Sequence, residues 1–356
     1  MPQQFLPGRA VLWHTAETLA IAAAGGILLT WLGFPAGLVT GSLLGVAVAA
    51  LAGRPVDVPN PLARVLFVLI GISLGAVVTP ETLQGFARFP LSVAVLAVSS
   101  VAMIAATSAY LRIVHGWDAL SALFGASPGA LAQVMVLSAE YKADLRAIAI
   151  VQTLRVVALT VGIPSGLAMF GLAAPGGIMA RLGSTHPESL VELAILLVVS
   201  TASGVVVWRL RLPGGLMFGA MLASAILHGG GYISAALPWW AAMAAVVGIG
   251  AMTGSRFANT SPLTLLQFLG AAVGSFTVSM TVATLSVLVL TMLLAVPVAD
   301  AVVAFAPGAQ DTMMVLALAL HLDPVFVGAL HLSRFVLVSL LVPILAQRIR
   351  RLPRDS

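Results

Sequence analysis

The sequence contains no cysteine, and only 8% of its 356 residues are charged. The absence of cysteine excludes disulfide bonds, thiolate metal sites and cysteine nucleophiles. The low charge excludes an ordinary soluble domain, in which about a quarter of the residues are charged. Hydrophobic residues make up 60% of the chain, and stretches such as 265–296 carry no charged side chain. Stretches of this length cross a bilayer as helices, so we expect an all-α, polytopic membrane protein whose solvent is the lipid bilayer.

Motifs of the common enzyme classes are also missing. The sequence has no HExxH, no GxSxG, no Walker loop and no cluster among its six histidines. We therefore expect a protein that is not an enzyme and that binds neither a metal nor a cofactor. The net charge of +5 is explained by the excess of Lys and Arg that orients membrane proteins, so we expect no direct contact with nucleic acid. A homo-oligomer is compatible with the sequence.

The two halves of the chain match each other in order. The motif Pro128-Gly129 recurs as Pro307-Gly308, and the same shift of 179 positions (307 minus 128) places Asp144 on Asp323 and Arg155 on Arg334. Proline and glycine can recur by chance in a membrane protein, but chance does not explain acidic and basic residues that recur at the same shift. We predict two tandem repeats, residues 1–180 and 181–356, each with about six hydrophobic segments.

Two architectures fit this pattern. In the first, the fifth segment of each repeat is a re-entrant or broken helix, which leaves five full spans per repeat and inverts the second repeat. In the second, twelve segments cross fully and the repeats are parallel. The first interpretation leaves only Arg88 and Arg181 outside the cytoplasm, so the positive-inside rule favours it. Both termini are then cytoplasmic.

The breaks in the fifth segments, Pro128-Gly129 and Pro307-Gly308, are candidate walls of a binding site. Irregular backbone is tolerated at membrane depth only where it is buried in protein or lines a wet cavity. A helical arm that begins after such a break presents free N–H groups and a positive dipole end, which favour an anion. A kink needed only for packing is the alternative.

Two arginines follow predicted helix starts, at which Asp144 and Asp323 act as N-caps. Arg155 and Arg334 lie eleven residues further on, about 16 Å along a helix and near the bilayer middle. An ionisable residue at this depth is costly and marks a functional or strongly paired position. We expect both arginines to bind an anionic group, whereas an internal salt bridge, for example with Asp311, or the capping of carbonyl groups is the structural alternative.

Other polar residues surround these positions. Asp311 is a candidate coupling residue for protons or Na⁺, and its counterpart in the first repeat is Ala132. The remaining candidate substrate-binding residues lie beside the breaks or one helical turn before the arginines. They are Gln133, Gln152, Gln310, Thr312 and His331.

The two copies of the repeated unit contain the segments PGALAQVMVLSAEYKADLRAIAIVQTLRV and APGAQDTMMVLALALHLDPVFVGALHLSRFV. On these segments the chain resembles the bacterial AbrB family of membrane proteins, and the resemblance covers essentially the whole chain. The resemblance implies a duplicated, multi-pass protein of the bacterial inner membrane, in a family labelled both regulator of gene expression and ammonia monooxygenase. It implies no catalytic residue set. The family's usual PGG is here PGA in both repeats.

These observations favour a secondary transporter or exporter of a small anionic solute. The main alternative is a membrane-embedded regulator of gene expression that acts through a partner or a transported signal. A membrane monooxygenase is a third interpretation, but no constellation of residues suited to copper or iron is evident.

Overall fold

A computed structural model describes residues 8–78, 89–128, 131–172, 189–210, 214–258 and 260–351. In these ranges the chain is helical and has no strand, with fourteen α-helices and one short 3-10 turn, Ser255–Phe257. Six of the helices, α1, α4, α7, α8, α11 and α14 as numbered below, are long and apolar enough to cross a membrane. The prediction of an all-α protein with several membrane-span-like helices is therefore confirmed.

The helices fall into two series of seven, one from each predicted repeat. The first series is α1 Gly8–Trp31, α2 Gly37–Leu51, α3 Asn60–Gly75, α4 Phe89–His115, α5 Ala119–Ala126, α6 Leu131–Glu140 and α7 Leu145–Met169. The second series is α8 Leu190–Arg209, α9 Gly215–Gly229, α10 Trp239–Gly254, α11 Pro262–Leu293, α12 Val298–Phe305, α13 Gln310–Ala319 and α14 Pro324–Arg351.

The helices form two compact units. One unit contains Met1–Pro80, Pro164–Ser261 and Leu318–His321, and the other contains Glu81–Ile163, Pro262–Ala317 and Leu322–Ser356. Each unit thus takes about half of each predicted repeat. The ranges 1–180 and 181–356 are divisions of the sequence, and the duplication itself stays a prediction.

In the first unit, a helix of each series packs closely against a helix of the other series. Gly75 of α3 approaches α9 so closely that an added Cβ would lie 2.4 Å from the carbonyl oxygen of Met221. Gly254 of α10 approaches α2 in the same way, at 2.5 Å from the carbonyl oxygen of Leu43. Exchanged contacts of this kind are typical of two elements related by a two-fold axis, and they support the predicted duplication.

In the second unit, the two broken segments fold back on themselves. The arms α5 and α6 contain eight and ten residues, and laid end to end they would be about 27 Å long. Yet the backbone N–H of Asp144, which follows α6, donates to Oγ of Ser121 in the first turn of α5 at 2.9 Å. The N–H of Asp323 likewise donates to Oδ1 of Asp300 at 2.7 Å. The end of each broken segment therefore lies beside its own start, as in a re-entrant hairpin. This return supports five spans per repeat rather than six.

The first hairpin, α5 and α6, is held by a buried apolar cluster. Phe124 of α5 packs in this cluster with Ile104 of α4, Ile148 of α7 and Val338 of α14. Each of these side chains is almost fully withdrawn from solvent. Because these three helices converge on α5, the end of this half-helix is fixed inside the unit.

Candidate functional site

The end of the half-helix α5 is capped by polar side chains from α7. The side-chain amide of Gln152 donates to the carbonyl oxygen of Phe124 at 2.8 Å, and the guanidinium of Arg155 donates to that of Gly125 at 2.7 Å. Carbonyl groups in the last turn of a helix have no partner within the helix, and they form the negative end of its dipole. A donor and a positive charge at this point therefore stabilise the break.

The second hairpin, α12 and α13, repeats this arrangement. Nε2 of His331 lies 3.1 Å from the carbonyl oxygen of Val303, and Arg334 donates to that of Ala304 at 3.0 Å and to that of Ala306. The capped residues Val303 and Ala304 correspond to Phe124 and Gly125 at the shift of 179. The polar pairs therefore cap equivalent carbonyl groups in both hairpins, which supports the duplication further.

These contacts decide between the structural alternatives for the arginines. Among the described residues, neither the Arg155 nor the Arg334 guanidinium takes part in an ion pair, and the pair that is formed joins Arg54 to Glu17. The salt bridge between Arg334 and Asp311 offered as an alternative is therefore wrong. The capping of carbonyl groups is what the structure has, and it explains why each arginine faces its break.

Capping does not use the whole guanidinium. Arg155 and Arg334 are only 2% and 1% exposed, and Nε of each has no hydrogen-bond partner among the described residues. Nε2 of Gln310 is in the same situation. A buried donor without an acceptor costs about 1 to 3 kcal/mol. The second unit thus contains buried cationic and amide donors that a ligand with acceptor atoms would satisfy.

The second break contains the other predicted site residues. Pro307, Gly308 and Thr312 are buried, and Asp311 is partly buried in the first turn of α13. Oδ1 of Asp311 accepts a hydrogen bond from the backbone N–H of Thr312 at 2.9 Å. The carboxyl group therefore lies at the N-terminal end of α13.

The first break is described only in part. Pro128 is buried, as its counterpart is. Gly129 and the side chain of Gln133 lie outside the described residues, so their predicted roles stay predictions.

The predicted N-caps are confirmed. Oδ1 of Asp144 accepts from the N–H groups of Arg146 at 3.1 Å and Ala147 at 3.0 Å, at the start of α7. Oδ1 of Asp323 accepts from those of Val325 at 2.9 Å and Phe326 at 3.1 Å, at the start of α14. These aspartates fix the helices that carry the arginines.

A carboxyl pair that no sequence motif indicates lies at the base of the second hairpin. Asp300 and Asp323 meet there through the bond from the Asp323 N–H, and burial raises the pKa of both carboxyls above the ordinary value. The first hairpin has the neutral Ser121 in place of Asp300. The shift of 179 aligns the two positions, and only the contact across the hairpin reveals their importance.

Known proteins match this chain over most of its length. The model of a family described as transition state regulatory protein AbrB matches residues 38–350, a region that includes both hairpins. The chain belongs to the AbrB family. It is 25% identical over 341 residues to "Putative regulator AbrB" of Escherichia coli (strain K12), covering 94% of this chain and 95% of that protein. It is also 26% identical over 352 residues to "Uncharacterized protein YhjN" of Bacillus subtilis (strain 168), covering 91% and 90%.

The match to the AbrB family bears on the whole architecture rather than on one motif. Both relatives are covered almost from end to end, so they share this chain's length as well as its sequence pattern. The family assignment made from the two hairpin segments is therefore confirmed.

Proposed function

We propose that this AbrB-family protein is a secondary transporter or exporter of a small anionic solute, and that the hairpin tips in the second unit form its site. One observation carries the proposal: Arg155 and Arg334 are buried without an ion-pair partner among the described residues. An uncompensated charge near the middle of a membrane is costly, by about 2.5 to 3.5 kcal/mol on insertion scales. A bound anion would offset that cost.

The arrangement of the backbone supports the same proposal. Broken helices near the membrane middle, whose ends point at a solute, are typical of secondary transporters built from inverted repeats. Hairpins that return to their level of entry leave five spans per repeat, and an odd number inverts the second repeat. In this proposal the protein lies in the bacterial inner membrane with both termini in the cytoplasm.

Asp311 is the proposed coupling residue. It lies four residues after Pro307, and the first repeat has Ala132 at the matching position. A carboxylate beside an anion site disfavours the anion, whereas the protonated carboxyl does not. Uptake of a proton or Na⁺ at Asp311 would therefore accompany binding of the solute.

The test is transport by purified protein in proteoliposomes, with radiolabelled acetate, succinate, isethionate and inorganic phosphate as probes. We expect counterflow of at least one probe with the native protein, and its loss in Arg155→Met and Arg334→Met. The matched control is Arg54→Met, because the Arg54 side chain is 61% exposed in the other unit. If the native protein moves none of these anions, the proposal is wrong.

A regulator of gene expression is the second candidate, favoured by the family description and by the printed name of the Escherichia coli relative. Such a protein would act through a partner or through a transported signal. Transcripts would be compared in a deletion strain that carries either the native gene or the Arg334→Met variant. If the variant restores the transcripts while moving no anion, the regulatory role does not depend on transport.

A further inference from the structure

Three hydroxyl groups on α4 differ from the usual behaviour of serine and threonine in this protein. Many such hydroxyls in the described helices donate to a carbonyl of their own helix, as Thr160 does to Val156 at 2.8 Å. The hydroxyls of Ser99, Ser100 and Thr107 have no partner among the described residues, although all three residues are buried. A buried hydroxyl left in this state destabilises the protein.

The repeat supplies an internal comparison. At the shift of 179, Ser100 corresponds to Ser279 and Thr107 to Ser286, both on α11. The hydroxyl of Ser279 donates to the carbonyl of Phe276 at 2.9 Å, and that of Ser286 donates to the carbonyl of Val282 at 2.7 Å. In these two pairs only the hydroxyl of the first repeat is left without an acceptor among the described residues, although Ser200 of α8 in the second repeat has none either. The state of the Ser100 and Thr107 hydroxyls is therefore not a general consequence of their position in the fold.

Two of the unpartnered hydroxyls, those of Ser100 and Thr107, lie on the face of α4 that packs against the first hairpin. Ser100, Ile104, Thr107 and Leu111 follow each other at intervals of four, three and four residues, which places them on one face of α4. Ile104 packs in the cluster that contains Phe124 of α5. Leu111 packs in a second cluster, with Ala122 of α5 and Val151 of α7. Thr107 lies between these two contacts.

Arg155 approaches the same half-helix from α7. Val151 lies one turn before Arg155 on α7, and Arg155 donates to the carbonyl of Gly125 at the end of α5. Two helices that flank α5 thus bring unpartnered polar groups to it: the Thr107 hydroxyl and Nε of Arg155. Nε–H can only donate, and a hydroxyl can donate, so an acceptor is what the group of atoms lacks.

We propose that Thr107 is a solute-binding residue, whose hydroxyl donates a hydrogen bond to an oxygen atom of an oxyanion whose charge is held by Arg155. The inference rests on the transport function proposed above and narrows its substrate class. A hydroxyl donor beside a guanidinium suits a carboxylate, sulfonate or phosphate, which offers several acceptor oxygens, better than a halide. In this arrangement α4 sets the specificity of the first hairpin.

The experiment compares the native protein with Thr107→Val and Thr107→Ser, and with the matched controls Ser286→Ala and Ser279→Ala. Purified protein is melted in sodium acetate, sodium phosphate and sodium chloride at equal ionic strength, and apparent Kd values are taken from the rise in melting temperature with salt. We expect Thr107→Val to weaken oxyanion binding about tenfold or more, with Thr107→Ser close to native and chloride unaffected. The control variants should bind oxyanions as the native protein does.

The protein without added oxyanion supplies a second readout. Valine has the shape of threonine and removes only the unsatisfied hydroxyl, so Thr107→Val should melt at the native temperature or above it. A lower melting temperature would mean that the hydroxyl stabilises the fold, and it would overturn the proposal. Unchanged oxyanion affinity in Thr107→Val, with affinity lost in Arg155→Met, would also overturn it and leave the transport function standing. No oxyanion response in the native protein, together with no flux, would overturn both.

Discussion

Replacing each buried arginine with methionine separates the cost of burying a charge from the value of capping a broken helix. Arg155→Met and Arg334→Met remove the same buried charge and keep much of the side-chain volume. They differ in the capping bonds that are lost. Arg155 donates to the carbonyl of Gly125, whereas Arg334 donates to those of both Ala304 and Ala306.

The difference between the two variants can be worked out because the charge effect cancels. Removing a guanidinium from the membrane interior relieves about 2.5 to 3.5 kcal/mol in either variant. Each buried carbonyl that loses its donor costs about 1 to 3 kcal/mol. Arg334→Met leaves one more such carbonyl than Arg155→Met does. We therefore expect Arg334→Met to be the less stable variant by about 1 to 3 kcal/mol.

Unfolding in detergent, followed by tryptophan fluorescence, would measure this difference. Trp117 is a suitable reporter because it packs against the clusters that hold α5 and lies edge-on to Phe268 at 6.4 Å between ring centroids. Arg54→Met serves as the control for a general effect of losing an arginine. If Arg155→Met is as unstable as Arg334→Met or less stable than it, the account of the arginines as caps is wrong.

Three further predictions test the packing, the topology and the carboxyl pair. Gly75→Ala should lower the free energy of unfolding by about 1 to 3 kcal/mol, because the added Cβ would lie 2.4 Å from the α9 backbone. Gly162 has open space around it, so Gly162→Ala should raise the free energy of unfolding by about 0.5 to 1 kcal/mol. Chemical denaturation compares the two variants. Since no native cysteine interferes, labelling of Lys142→Cys and Arg256→Cys in oriented vesicles should occur only from the cytoplasmic side, and labelling of either from outside would refute the inversion. Burial raises the pKa of Asp300, so the stability of the protein should be greatest below the ordinary carboxyl pKa and should fall as the pH rises through the raised pKa. Asp300→Asn should reduce that fall in melting curves recorded between about pH 4 and about pH 8. An unchanged pH profile in this variant would contradict the prediction.

Much of this fold could be predicted from the sequence because its signals are local. The lack of charge over long stretches predicts the spans, and Pro-Gly in the middle of such a stretch predicts a break. The shift of 179 predicts that Arg334 repeats the part played by Arg155. Each inference needs only the chain near one position, or the chain compared with itself.

The rest depended on contacts between distant segments. That Asp323 meets Asp300 follows from the return of the hairpin, and no composition or period encodes it. Thr107 is one hydroxyl in an apolar helix, so its sequence context resembles that of Thr160, which bonds to its own backbone. Helices exposed to lipid are apolar on every face, so their periodicity does not identify the neighbour that each face contacts.

The capping contacts change how the arginines should be understood. A helix broken inside a membrane needs donors for its last carbonyls, and Gln152 with Arg155 supplies them whether or not a solute is present. The polar pair alone is therefore weak evidence for transport. The polar groups that capping does not use are stronger evidence. Nε of Arg155 and the Thr107 hydroxyl are buried and form no hydrogen bond within the described structure. A solute should accordingly be sought through atoms that the fold does not use, and variants that spare the caps will report on binding more cleanly than removal of either arginine.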